Sequence, residues 1–191
     1  MLFWLLGCTI SKPLPNLGDC ATYSDDGFDY GTIDIGTCLS GATDLAFRED
    51  NEGNWHLLVS NANPYVNFSG GSLLSIPWNN IDRTTSIQYS HELNAVALPL
   101  PSFAGNMAFT DDDIAMVSVR FSEDSRTRTD ADDLHLIDVS DPSNPIPSTR
   151  GTNGGDTLEV SSDPVDIVVD NNTGIAFVGN RTGHDISVIN S

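Results

Sequence analysis

The chain has 191 residues, 27 acidic and 8 basic side chains, and a net charge of −19. That balance excludes nucleic acid, whose phosphates call for a basic surface, and disfavours anionic membrane surfaces. At 39% hydrophobic and 18% charged the chain is globular, and its length suits one domain with its own core. Five of the acids are Glu, which leaves 22 Asp, and there is a single Lys, Lys12, beside 16 Gly. Asp and Gly favour turns and caps while Glu favours helices, so the composition predicts a turn-rich, mostly β chain.

Residues 1–8 are apolar and end in Leu5-Leu6-Gly7-Cys8. This tetrapeptide resembles a bacterial lipobox, which implies lipidation of Cys8 and anchoring without a membrane span. The seven residues before Cys8 contain no Lys or Arg, whereas a full signal peptide has a basic start and a longer apolar stretch. Thr9 rather than Asp follows the Cys. By the same resemblance that favours the outer membrane over inner-membrane retention in a double-membraned host. Residues 9–19 contain Pro13 and Pro15 among polar neighbours, a stiff, extended tether.

With Cys8 assigned to lipid, Cys20 and Cys38 remain as a pair. Outside the cytoplasm they are expected to form a disulfide, closing residues 20–41 into an N-terminal segment and contributing about 3 kcal/mol on the chain-entropy model. Spacing without a CxxC or a nearby His argues against zinc.

From residue 42 the chain repeats. The pattern small-x-(Asp/Asn)-apolar-small-apolar occurs at Ala42–Phe47, Ala104–Phe109 and Pro164–Val169, with its polar residue at Asp44, Asn106 and Asp166. An acidic or Asn-rich turn follows each copy, then a second apolar run beginning near Trp55, Ile114 and Ile175. A third run lies at Ser72–Ile76, Leu134–Val139 and Asp185–Asn190. Runs of five to seven Val-, Ile- and Leu-rich residues bounded by Asp, Asn, Gly and Ser read as strands. Candidates for a fourth strand are 85–89 or 95–98 in the first repeat and 157–160 in the second.

The third copy, from Asp163-Pro164 through Ile175-Ala176-Phe177-Val178-Gly179-Asn180 to Ile186-Ser187-Val188-Ile189-Asn190, resembles the YVTN-type β-propeller repeat. Phe177 stands at its Tyr and Gly179 at its Thr. Leu134-His135-Leu136-Ile137-Asp138-Val139-Ser140-Asp141-Pro142 is similar to an LVIVD-like repeat of bacterial surface propellers. The resemblance implies an all-β partial β-propeller of about three antiparallel four-stranded blades, at residues 42–103, 104–163 and 164–191, the third incomplete. Complete propellers have 4–8 blades. The expectation is therefore the N-terminal part of a longer chain, the alternative being an open three-repeat array that pairs with another copy.

Candidate chemistry is sparse. His56, His91, His135 and His184 show no metal-binding spacing. Asp111–Asp113 and the group Asp130, Asp132 and Asp133 read as solvated turn acids; the second is the weak Ca²⁺ candidate, and no other cofactor is expected. Asp44, Asn106 and Asp166 read as side-chain caps on a recurring turn, or alternatively as a polar ring lining a central channel. No catalytic residue is assigned. The function expected is a non-enzymatic cell-envelope lipoprotein, anchored by lipid, whose propeller binds a protein, peptide or glycan. The alternative is a propeller enzyme, lactonase-like or quinone-dependent.

Overall fold

The computed structural model describes residues 37–64, 70–81, 93–101, 103–120 and 133–190. Cys8, the tether at 9–19, Cys20, the candidate strand at 85–89, His91, Asp130 and Asp132 lie outside the described residues. Among the described residues the regular structure is β, with single 3₁₀ turns at Trp78–Asn80 and Thr152–Gly154.

The strands are β1 (Ala42–Glu49), β2 (Trp55–Asn61), β3 (Gly71–Pro77), β4 (Val96–Leu100), β5 (Ala104–Phe109), β6 (Ile114–Val119), β7 (Asp133–Asp138), β8 (Ile146–Pro147), β9 (Thr157–Glu159), β10 (Pro164–Asp170), β11 (Ile175–Asn180) and β12 (Asp185–Asn190). They form three antiparallel sheets in chain order: β1-β2-β3-β4, β5-β6-β7 with β8 and β9, and β10-β11-β12. In the first repeat the fourth strand is the later candidate, since β4 pairs with β3 through Val96–Leu100. In the second it is split. β9 pairs with Asp133–His135 of β7 and β8 with Ile137–Asp138, so the sheet is four strands wide. Leu136 bridges the break, donating its N–H to Asp156 O and accepting from Ser148 N–H.

The same backbone device opens each sheet. Gly41, Phe103 and Asp163, the residues immediately before β1, β5 and β10, all have positive φ, at 85°, 65° and 63°. Each turns its carbonyl to accept an N–H from the residue just past the second strand: Ala62, Arg120 and Arg181. Gly41 suits this conformation without cost. A Cβ there would also lie 2.5 Å from Pro64 Cδ. Two or three residues further on, each first strand carries a bulge, where its register slips between Ala42 and Asp44, Ala104 and Met107, and Pro164 and Asp166.

Alternation along the strands gives every sheet a front and a back, and the sheets stack front to back. The first sheet's front (Leu58, Leu73) packs with Leu100 against the second sheet's back (Met107, Ala115, Val117, Ile137). The second sheet's front (Met116, Leu134, Leu136) packs against the third sheet's back (Ile167, Ala176, Val178). The second sheet is therefore covered on both faces, and β6 is buried along its whole length. The first sheet's back (Leu57, Val59, Leu74, Ile76) is covered by Leu39, Ile81, Leu93 and Ala95 from outside its strands. β1 lies beside β5, and β5 beside β10, so the three first strands share one side of the stack.

Leu134 is fully buried where the second and third sheets meet. Leu134→Ala is expected to lower stability by about 2–5 kcal/mol. Leu45→Ala, at a position 59% exposed, should change it by about 0.5 kcal/mol or less. Urea unfolding monitored by far-UV circular dichroism compares the two.

Candidate functional site

The recurring polar positions of the first strands sit at the bulges and are drawn together. Asp44 Oδ1 accepts the N–H of Leu45 at 2.8 Å, and Asp166 Oδ1 that of Ile167 at 3.0 Å, so both cap their own bulge. They also reach across the sheets. Asp44 Oδ2 accepts the N–H of Met107 at 2.7 Å, and Asn106 Nδ2 donates to Asp166 Oδ1 at 3.0 Å. Thr43 Oγ1 adds a bond to Ala104 O at 2.9 Å. Cap and inter-sheet link are thus the same residues. Further along β1, the Arg48 guanidinium lies 3.6 Å over the Phe109 ring of β5, a cation–π contact between the same two sheets. Burial holds Arg48 below its usual value, opposed by the charge of Asp113.

A second link lies where the second strands end. Asp163, 1% exposed, accepts from Arg120 Nε at 2.6 Å and Arg181 Nε at 2.7 Å. Burial pushes its carboxyl up, but the hydrogen bonds and charges of the two guanidiniums outweigh this and hold it below the usual carboxylate range. Arg120 follows β6 and Asp163 opens β10, so this ion triad ties the second sheet to the third.

The concave site is elsewhere. A cleft of about 540 Å³ opens between the first sheet and the turn after β7, lined by Asp50, Asn54, Trp55, His56, Trp78 and Asp141, among others. Two of its lining residues, Asp50 and His56, belong to a polar chain that runs on to Ser75 and Pro142. The Asp50 carboxylate accepts from Asn54 N–H (2.8 Å), Glu52 N–H (2.9 Å) and Asn54 Nδ2 (3.0 Å). Those donors, Asn54 N–H first, hold it below its usual pKa. Its Oδ2 lies 3.5 Å from His56 Nε2. His56 Nδ1 lies 3.2 Å from Ser75 Oγ, and the Ser75 hydroxyl donates to the Pro142 carbonyl of the second sheet's turn. A hydroxyl has one proton, so with that proton on Pro142 the Ser75 oxygen is the acceptor and His56 Nδ1 the donor.

An Asp–His–Ser sequence of contacts invites a hydrolase reading, and the geometry opposes it. In a catalytic triad the histidine takes the serine proton. Here that proton is directed to Pro142, and Ser75 is 1% exposed on a central strand. The chain joins sheets. Two tryptophans line the cleft: Trp55, 47% exposed, and Trp78, set edge-on to Phe47 with ring centroids 4.9 Å apart. Polar side chains of the surrounding turns complete the wall, including Asp141, which accepts from the N–H and hydroxyl of Ser143.

Other expected positions are dispersed. Asp112 in the β5–β6 turn pairs with Arg150 and accepts from Thr110 Oγ1, and Asp133 begins β7. Of the histidines, His56 is in the cleft. His135 lies on β7, where burial depresses its pKa against the opposing charge of Asp156, and His184 occupies the left-handed residue of the β11–β12 turn. Among the described residues no group of three or more His, Cys, Asp or Glu could hold a metal ion. Cys38 is buried and disulfide-bonded, and Asn61 Nδ2 donates to its carbonyl at 2.7 Å.

Trp55, Trp78, Asp50 and Ser75 were not singled out by sequence pattern, because the cleft is lined from three separate segments, 50–56, 77–80 and 141–143. The one usable signal is Asp50 itself, whose turn position recurs as Asp170, a carboxylate that likewise accepts the N–H of the second residue beyond it. Comparison with known proteins finds no matching family model, curated protein or solved structure.

Asp163→Asn keeps a residue that tolerates positive φ but removes the charge from both guanidinium bonds. It is expected to cost about 1.5–3 kcal/mol near neutral pH. A depressed carboxyl contributes stability above its unfolded pKa and loses it as pH falls through the folded value. The gap between wild type and variant should therefore be full above about pH 4 and close below it. Chemical denaturation at a series of pH values reads this directly.

Proposed function

We propose that the chain is a non-enzymatic binding protein of the cell envelope, built as an arc of β-propeller-like blades and held to a membrane by lipid on Cys8. Support for the blade reading is the front-to-back stack of sheets with their first strands gathered on one side and a shared bulge and left-handed entry in each. Support for the anchor is the Leu5-Leu6-Gly7-Cys8 order, followed by a Pro-containing spacer.

The observation that carries the binding reading is the cleft: two tryptophans among hydrogen-bonding side chains on turns. Aromatic faces with amide and carboxylate neighbours suit a glycan or peptide, and binding groups on turns held by a rigid β scaffold are the usual arrangement. The hydrogen bonds of Asp50 and the Ser75–Pro142 bond between the sheets then keep the cleft pre-formed, which limits the ordering cost of binding.

Titration of the full chain with oligosaccharides and peptides, monitored by tryptophan fluorescence, tests this. A ligand should change the emission. Trp55→Ala and Trp78→Ala should each weaken binding by about 10-fold or more while leaving the fold intact. Binding unaffected by both substitutions would place the site elsewhere. Turnover of an ester or glycoside abolished by Ser75→Ala would replace binding with catalysis.

A further inference from the structure

We propose that the cleft selects a cation, and that its ligand is a Lys or Arg side chain carried on an exposed peptide segment. The inference rests on the binding reading of the cleft and chooses between the two ligand classes which that reading allows.

The lining carries fixed charge of one sign. Asp50, Glu52 and Asp141 border the cleft, and no Lys or Arg does. The four described arginines are engaged elsewhere. Arg120 and Arg181 hold Asp163, Arg150 pairs with Asp112, and Arg48 lies over Phe109. His56 is 5% exposed and turns one ring nitrogen to Asp50 and the other to Ser75, so its ring is committed within the protein.

The three acids are not alike. Asp50 is spent on its own turn, accepting from Glu52 N–H and from the N–H and side-chain amide of Asn54. Glu52 and Asp141 are both exposed. The Glu52 carboxylate makes no hydrogen bond or ion pair with the described residues. Asp141 uses Oδ1 for the N–H and hydroxyl of Ser143, which leaves Oδ2. The two stand on different walls, Glu52 on the β1–β2 turn and Asp141 on the turn after β7. They belong to no metal-binding cluster among the described residues. The same lining includes Trp55 and Trp78, and tryptophan is the aromatic side chain that attracts a cation best. Carboxylates beside such rings complement an ammonium or guanidinium, which brings both charge and several N–H donors.

A neutral sugar would offer these carboxylates hydroxyl donors but leave both charges uncompensated. A basic side chain answers both needs. The cleft, at about 540 Å³, is larger than one such side chain. Exposed Asn51 and Asn79 on its border each carry an amide donor and acceptor, which suits the peptide groups flanking the bound residue. The net charge of −19 draws a basic segment toward the protein.

Calorimetric titration of the full chain with three probes tests the proposal. They are a short peptide rich in Lys and Arg, the same peptide with acetyl-lysine and citrulline in their place, and a neutral oligosaccharide. The basic peptide should bind most tightly, and its affinity should fall with added salt. Combining Glu52→Gln with Asp141→Asn should weaken it about 10-fold, and Trp55→Ala by about as much. Far-UV circular dichroism of these exposed substitutions should match the wild type, and the single variants serve if the double one misfolds. Glu159→Gln, exposed on β9 away from the cleft, should leave the affinity unchanged. The oligosaccharide or the neutralised peptide binding as tightly as the basic one would overturn the cation assignment and leave the binding reading standing. No loss in the double variant, or an equal loss from Glu159→Gln, would overturn the assignment by placing the attraction in the overall charge. A chain that binds none of the three would remove both the assignment and the reading beneath it.

Discussion

Everything in this molecule depends on each sheet having something to lie against. An antiparallel sheet of three or four short strands buries one face at most by itself, and the residues here are apolar on both. Leu58 and Leu73 on the front of the first sheet are dry because Ala115, Val117 and Ile137 of the second sheet meet them. Met116, Leu134 and Leu136 are dry because Ala176 and Val178 of the third meet them. Each such side chain contributes about 1.5–3 kcal/mol when removed from water. The second sheet collects this contribution on both faces, so it is the part of the stack that the other two need.

Apolar contact alone is non-directional, and the polar links supply the geometry. They recur where the chain enters each sheet. A left-handed residue turns the carbonyl of Gly41, Phe103 or Asp163 toward the end of the second strand. A bulge then frees the backbone for Asp44, Asn106 or Asp166 to bridge to the neighbouring sheet. Asp163 does both jobs, since its backbone makes the entry turn and its carboxylate holds Arg120 and Arg181. At the opposite end the Ser75–Pro142 bond performs a similar task beneath the cleft. A ligand between Trp55 and Trp78 would sit on groups positioned by that inter-sheet contact.

Much of this was legible before the structure. The small-x-(Asp/Asn) pattern marks the start of β1, β5 and β10, because a short acid or amide at the bulge and a small residue against the next sheet are both physical requirements. The second and third strands followed from alternation and their turn residues. The split of the fourth strand in the second sheet was not legible, since Ile146–Pro147 is two residues long and Thr157–Glu159 only three. Nor was the difference between the ends of the stack. Leu58 and Phe177 occupy matching positions and look alike as sequence; only packing shows that one is covered and the other is not. The cleft was invisible for a similar reason, because Asp50, His56 and Ser75 have no shared spacing along the first sheet and Pro142 reaches them only when the second sheet packs against it.

The most direct test of this account is native-state hydrogen exchange across the strands. The middle sheet, covered on both faces, should hold the slowest amides. Those of Ala115, Met116 and Val117 on β6 should exchange only with global unfolding, while those of β1, an edge strand with Leu45 and Phe47 exposed, should open earlier. Amides of β6 exchanging no more slowly than those of β1 would contradict the claim that burial between sheets, centred on the second, holds the chain together.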